Sequence, residues 1–136
     1  MILVDSSVWI GYFNGADTWQ TRWLDHALQH EVVIIGDLIL AEVLQGFRSD
    51  AEHVRAEQML LGLEVVELGG SERALRAARR YRTLRKKGCT IRKTVDLFIA
   101  EWCMEQDVAL LHQDSDFEAI AANEPGFMVI RNQKSG

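Results

Sequence analysis

Short apolar runs alternate with longer stretches of helical periodicity along the chain. The runs have the length and the Val, Ile and Leu content of strands that are buried on both faces of a sheet. We predict strands at residues 1–4, 32–35, 65–66, 108–111 and 127–130. Because strands that alternate with helices are typical of βαβ units, the pattern predicts an α/β fold with a mostly parallel sheet covered on both faces.

The segments between these runs repeat apolar side chains at the spacing of helix turns. We predict helices at residues 7–13, 18–30, 38–47, 51–63, 72–87, 95–106 and 117–123. The fifth has the clearest boundaries, because Ser71 can cap its start, Lys86 and Lys87 suit its negative end, and Gly88 can terminate it.

The length and composition predict a single domain over residues 1–136. With 136 residues, 48% of them hydrophobic and 26% charged, the chain can bury a core of its own. No apolar run approaches the roughly 18 residues of a membrane span, and the first residues lack the features of a secretory signal, so we expect a cytoplasmic protein. Cys89 and Cys103 lack the spacing of metal ligands and are expected to be free thiols.

Charge is distributed unevenly along the sequence. The net charge is -5, yet ten of the 15 basic residues lie within residues 73–93, where there is no acidic residue. A basic segment in an acidic chain is expected where a polyanion binds beside a metal site. A solvated helix face is the simpler alternative. If the segment binds a phosphate backbone, the expected contacts are Arg73, Arg76, Arg80 and Lys87.

Five carboxylates stand where a solvated surface acid is not expected. Asp5 closes the first strand, and Asp114 and Asp116 follow the fourth, at the edge where parallel sheets build their sites. Glu42 and Asp96 lie in otherwise apolar helical segments. Each has an ordinary alternative: a helix cap, a favourable position in the helix dipole, or a Glu that reaches solvent.

If these carboxylates converge, they need a cation, because clustered like charges repel one another. Hard oxygen ligands select Mg²⁺ or Mn²⁺, which can activate a water and stabilise charge on a cleaved phosphodiester. The sequence contains no P-loop, GxGxxG, GxSxG or HExxH motif that would favour another chemistry. His112 lies beside the cluster, where a hydrogen-bonded structural role is the ordinary expectation and a phosphate contact the alternative.

Four segments in order resemble the PIN-domain ribonucleases, specifically the VapC-type toxins of toxin-antitoxin pairs. The segments are MILVDSSVWI, LILAEVLQGF, VDLFIAEWC and LLHQDSDF, and the resemblance covers nearly the whole chain. By this resemblance, the acidic tetrad comprises Asp5, Glu42, Asp96 and Asp114, with Asp116 as an accessory acid. The metal ligands would be Asp5, Asp96, Asp114 and Asp116, and Ser6 or Ser7 would orient Asp5 or phosphate. His112 departs from the Thr or Ser of many relatives.

The resemblance also implies a three-layer α/β/α fold with a mostly parallel five-stranded sheet, and a homodimer. It implies Mg²⁺- or Mn²⁺-dependent cleavage of structured RNA such as tRNA or rRNA, leaving a 3′-hydroxyl and a 5′-phosphate. Two alternatives stay open: a catalytically silent PIN-like module that binds nucleic acid, and a metal-dependent DNA nuclease or phosphatase. Asp5 is followed by two serines, whereas a phospho-aspartyl phosphatase would have Asp-x-Asp there.

An antitoxin is the expected protein partner. Trp9, Trp19 and Trp23 lie in the first two predicted helices, and the third is apolar nearly all round. A helix on one side of a small sheet buries only one of its faces, so we expect a partner helix across these helices and residues 38–63. A thick core beneath them is the alternative. By resemblance, the partner's tail would place a cation near Asp5 and Asp96.

Overall fold

The computed structural model describes residues 1–133 and contains the seven helices that the sequence predicts. The four strands are β1 (Ile2–Val4), β2 (Val33–Gly36), β3 (Glu64–Val66) and β4 (Ala109–Leu111). The helices are α1 (Ser6–Phe13), α2 (Trp19–His30), α3 (Asp37–Gln45), α4 (Asp50–Leu60), α5 (Ser71–Lys86), α6 (Thr94–Gln106) and α7 (Ser115–Asn123). None of the helices in the described part of the chain is long and apolar enough to cross a membrane.

All four strands run parallel in the order β3-β2-β1-β4. The central strands β1 and β2 are buried throughout, which explains why they read as continuous apolar runs in the sequence. The prediction of five strands is wrong by one. The predicted strand at 127–130 makes a single parallel bridge, from Val129 to Leu110, and two backbone hydrogen bonds beside it, which is too little pairing for a strand.

The order of the strands assigns the helices to the two faces of the sheet. The chain steps from β1 to β2 to β3 in one direction and then returns across the sheet to β4. Since such crossovers are right-handed, α1 to α4 cover one face, and α5 and α6 cover the other. Contacts agree: α1 packs on α2 and α3, whereas α6 packs on α5 and α7. The predicted three-layer α/β/α architecture is confirmed, and the direction of winding reverses between β1 and β4.

Candidate active site

The reversal between β1 and β4 opens a crevice at the carboxyl ends of these two strands, which is where open α/β sheets bind ligands. Val4 pairs in register with Leu111, so the residues that follow each strand are neighbours. The backbone N–H of Asp5 donates to the Leu111 carbonyl at 2.9 Å. The sheet therefore brings the first and fourth of the acidic segments together although they are far apart in sequence.

Asp5 caps α1 and is also part of the acidic site. Its Oδ2 accepts hydrogen bonds from the Ser7 N–H at 3.2 Å and from the Ser7 hydroxyl at 2.6 Å. The Ser7 Oγ in turn accepts from the Gln113 N–H at 3.1 Å. Ser7 thus orients Asp5 and ties it to the loop after β4, so the capping and site interpretations of Asp5 are compatible.

Three carboxylates form the compact part of the site. Asp96, Asp114 and Asp116 each offer an oxygen within 4.8 Å of the others. Asp114 caps α7, with its Oδ1 accepting from the Asp116 N–H at 2.9 Å, and Asp96 lies in the first turn of α6. We call these three residues the acidic triad.

Asp96 is the most unusual carboxylate of the triad. It is 1% exposed, and among the described residues neither of its oxygens has a hydrogen-bond partner. Burial, followed by the negative charge of Asp5, raises its pKa from 3.8 to about 7. A buried carboxylate without hydrogen bonds is costly unless a cation neutralises it, and hard carboxylate oxygens are suitable ligands for a divalent ion. The donor set of the triad therefore fits a metal site.

Two basic residues contact the triad from the loop before α6. The Lys93 Nζ lies 2.9 Å from Asp114 Oδ2 and 4.0 Å from Asp96 Oδ2. The backbone N–H and the Nε of Arg92 donate to Asp116 Oδ2 at 3.2 and 3.4 Å. Burial tends to raise the pKa of Asp114, but the Asp116 N–H and Lys93 outweigh it, and the pKa is lowered. The sequence analysis identified both residues only as members of the basic segment. Their position directly before the helix that carries Asp96 could have indicated that they contact the acidic residues.

Glu42 projects from α3 and is not part of the triad. Its pKa is raised, first by burial and then by the charge of Asp5, while Lys93 and the Ser6 side chain oppose this rise. Its Oε1 is buried and has no hydrogen-bond partner among the described residues. Asp5 also lies outside the triad, although its charge acts on both Glu42 and Asp96. Three of the five carboxylates therefore form a compact group, and Asp5 interacts electrostatically with one member of it, Asp96, and with Glu42.

His112 has a structural position behind Asp114. Its Nδ1 accepts from the Asp114 N–H at 3.2 Å, and its Nε2 lies 3.1 Å from Glu118 Oε1. A neutral ring with its proton on Nε2 satisfies both contacts. Burial lowers the pKa of His112, and the negative charge of Glu118 only partly offsets this effect. Glu118 also pairs with Arg131. His112 thereby fixes the loop that carries Asp114.

The basic residues of α5 have acidic partners that the sequence did not reveal. Arg73 pairs with Glu105 at 2.9 Å, Arg76 also pairs with Glu105, and Arg80 pairs with the buried Glu101 of α6. Since the start of α5 contacts the end of α6, the two helices run antiparallel. Arg73 and Arg76 are therefore remote from Asp96, whereas Lys87 follows the end of α5 that lies near the start of α6. Lys87 is exposed.

Comparisons with known proteins identify the family of this chain. Residues 2–123 match the model of the PIN domain. The chain is 30% identical over 123 residues to Ribonuclease VapC11 of Mycobacterium tuberculosis. The aligned region covers 89% of this chain and 92% of the relative.

The fold is shared with solved structures of other proteins. VapBC2 from Rickettsia felis, bound to a DNA fragment from its promoter, has a TM-score of 0.72 at 20% identity and covers 96% of this chain and 98% of that one. VapC20 of Mycobacterium tuberculosis, a sarcin-ricin loop cleaving toxin, has a TM-score of 0.68 at 18% identity and covers 88% and 95%. Because the family model matches nearly the whole length of the chain, the chain belongs to the PIN domain family.

Proposed function

We propose that this protein is a metal-dependent endoribonuclease and the toxin of a toxin-antitoxin pair. The observation that carries the proposal is the acidic triad at the point where the winding of the sheet reverses, where the buried Asp96 carboxylate accepts no hydrogen bond from any described residue. Membership of the PIN domain family and similarity to proteins named VapC ribonucleases support RNA as the substrate class. An RNA substrate would place the activity in the cytoplasm.

In this proposal Asp96, Asp114 and Asp116 hold Mg²⁺ or Mn²⁺, with Asp5 as a further ligand or orienting charge. The bound ion would lower the pKa of a water and neutralise charge on the phosphate. Ser7 keeps Asp5 oriented, and Ser6 and His112 support Glu42 and Asp114 respectively. Glu42 has a raised pKa, and its buried Oε1 accepts no hydrogen bond from residues 1–133, so it is suited to take up the proton of the attacking water. Attack on phosphorus would break the bond to the 3′ oxygen, which would take up a proton from solvent, and would leave a 3′-hydroxyl and a 5′-phosphate.

Cleavage assays test this proposal directly. Purified protein is incubated with labelled tRNA, rRNA, single-stranded DNA and a phosphomonoester, in EDTA, Mg²⁺ or Mn²⁺, alongside Asp96→Asn. We expect internal cuts in RNA that need the metal and disappear in Asp96→Asn. Binding without cleavage would indicate a catalytically silent module, and cleavage of DNA or the phosphomonoester alone would indicate the other alternative. Cleavage retained by folded Asp96→Asn would refute the site.

We propose that the RNA backbone contacts the end of the basic helix that lies near the triad, through Lys87. Arg73, Arg76 and Arg80 were also predicted as contacts, but their carboxylate partners favour a role in joining α5 to α6. Lys87→Glu should weaken binding across RNA sequences and reduce the slope of log affinity against log salt by about one. Arg73→Glu should chiefly lower stability; an equal change of salt slope in both variants would restore Arg73 as a contact.

We propose that the antitoxin docks over the N-terminal helices. Trp9 belongs to the core, so part of the apolar excess is internal, but Ile10 is 42% exposed beside a cleft of about 70 Å³ between α1 and α3 that is also lined by Phe13, Val43 and Phe47. The similarity of the fold to a toxin-antitoxin complex from Klebsiella pneumoniae supports this partner. Hydrogen exchange should show protection over residues 9–28 and 38–63 in the complex, and protection confined to α5 would place the groove elsewhere.

We propose that the homodimer forms through the helix layer of α5 and α6, which covers the opposite face of the sheet from α1 to α4. An apolar groove between α5 and α6 is lined by small side chains of α5 together with Tyr81, Leu97 and Phe98. Ala78→Glu, at the exposed edge of this groove, should convert a dimer to a monomer in light scattering. An unchanged mass would exclude this surface as the dimer interface.

A further inference from the structure

Lys93 places a positive charge where the proposed metal would bind. It is the N-cap residue of α6, three positions before Asp96, and its ammonium lies against Asp114 and within 4.0 Å of Asp96. The side chain is 50% exposed, whereas Asp96 is 1% and Asp114 13% exposed. The ammonium therefore reaches the buried carboxylates from the solvent side of the site.

The carboxylates need such a charge when no metal is bound. Three of them offer oxygens within 4.8 Å of one another, and the Asp5 charge adds to their repulsion. Arg92 neutralises only Asp116, through a side chain that is 71% exposed. Among the described residues, Lys93 alone has a cationic group within 4.0 Å of both Asp96 and Asp114.

We propose that Lys93 is the resident counter-ion of the acidic triad and that a divalent metal binds by displacing it. This inference rests on the proposed function, because it presumes that the triad holds a metal. A metal ion on Asp114 and Asp96 would repel an ammonium held against the same two carboxylates, so each must compete with the other for this position. The long, half-exposed stem of Lys93 lets the ammonium leave without any movement of α6, and it then lies at the mouth of the site, where substrate phosphate would approach.

Displacement predicts opposite effects on two properties of the same variant. Lys93→Met removes the competitor, so the affinity for Mn²⁺ should rise about fivefold, equivalent to the ~1 kcal/mol of a partly exposed ion pair. The same variant loses the counter-ion in metal-free protein, so its unfolding temperature in EDTA should fall. A lysine that only positions Asp114 for the metal would lower the metal affinity, and an unimportant surface lysine would change neither property.

The test combines isothermal titration of the full chain with Mn²⁺ and thermal unfolding in EDTA. Lys86→Met is the matched control, because Lys86 is an exposed lysine in the last turn of α5, and it should leave both properties unchanged. Lys93→Arg keeps the charge, should bind Mn²⁺ close to the wild-type affinity, and remains informative if Lys93→Met folds poorly. Tighter binding by Lys93→Arg equal to that of Lys93→Met would overturn the proposal, because the charge would then not matter.

Failure of this inference is distinguishable from failure of the proposed function. If wild-type protein binds Mn²⁺ and Asp96→Asn does not, but Lys93→Met binds no more tightly than wild type, the metal site stands and the counter-ion proposal is wrong. If neither wild type nor Lys93→Met binds Mn²⁺, the metal site is wrong and the counter-ion proposal with it. Cleavage activity is not needed for either conclusion.

Discussion

Replacing Asp96 by Asn should make the metal-free protein more stable, and the gain should depend on pH. In the unfolded chain this carboxyl titrates near 3.8, and in the folded protein its pKa is about 7. Below about pH 4 it is protonated in both states and carries no penalty. Between pH 4 and 7 the unfolded chain releases the proton while the folded protein keeps it, so the free energy of unfolding falls as pH rises, and the loss is complete above pH 7.

The size of the effect follows from the pKa difference. Each pKa unit corresponds to about 1.4 kcal/mol, so ionised Asp96 costs the metal-free protein about 4 kcal/mol at most. An Asn side chain recovers only part of this, since its amide must find acceptors in the same pocket, although the neighbouring carboxylates can accept from it. We expect Asp96→Asn to gain about 2 kcal/mol at pH 8, or roughly 6 °C in unfolding temperature.

Thermal and urea unfolding in EDTA at pH 4.5 and pH 8 measure this gain. Glu64→Gln is the control, because it removes an exposed carboxylate from β3, away from the acidic triad and from the ends of the helices. Asp96→Asn should be stabilised at pH 8 and much less at pH 4.5, while Glu64→Gln should show no such difference. Added Mn²⁺ should stabilise wild type more than Asp96→Asn. An equal gain at both pH values would refute the argument from burial and repulsion.

Three further substitutions probe contacts that hold the site and the two layers of helices. Ser7→Ala removes the hydroxyl that donates to Asp5 at 2.6 Å and should lower the free energy of unfolding in urea by about 1 kcal/mol. Glu101→Gln breaks a buried ion pair between α5 and α6 and should cost about 2 kcal/mol in the same assay, with unchanged Mn²⁺ affinity. Gly36→Ala would bring a Cβ into steric conflict with the Leu68 side chain, and the overpacking should cost about 2 kcal/mol, seen as a lower unfolding temperature. A wild-type value in any of these measurements would contradict the contact concerned.

The proximity of Asp5 to Asp114 could be predicted from the sequence, because it depends only on which strands the two residues follow. Asp5 and Asp114 follow apolar runs, and parallel pairing of those runs is enough to bring them together. Asp96 was recognisable as a charge in an apolar helix. Its position within 4.8 Å of Asp114 and Asp116, however, depends on how α6 packs, and periodicity carries no information about that.

The partners of the basic residues could not be predicted for the same reason. Glu101 and Glu105 belong to α6, more than twenty positions after the arginines that they pair with, and only the antiparallel packing of α5 on α6 joins them. Lys93 was one charge among ten in its segment, and the reach of its side chain into the triad is a property of the folded loop. The prediction of a fifth strand at residues 127–130 was wrong because an apolar run indicates only burial. A strand must also pair with a neighbouring strand over several residues.

The position of β1 in the sheet has a consequence for how the protein is made. Synthesis proceeds from the N-terminus, so β1 and β2 emerge early, but the second edge of β1 waits for β4. The hydrogen bond from Gln113 to Ser7 joins residues that are 106 positions apart. Closing so long a loop is slow, and it is the step that brings the acids together. A nascent chain thus lacks the assembled cluster until β4 has left the ribosome and paired, and any nuclease activity of this fold begins only then.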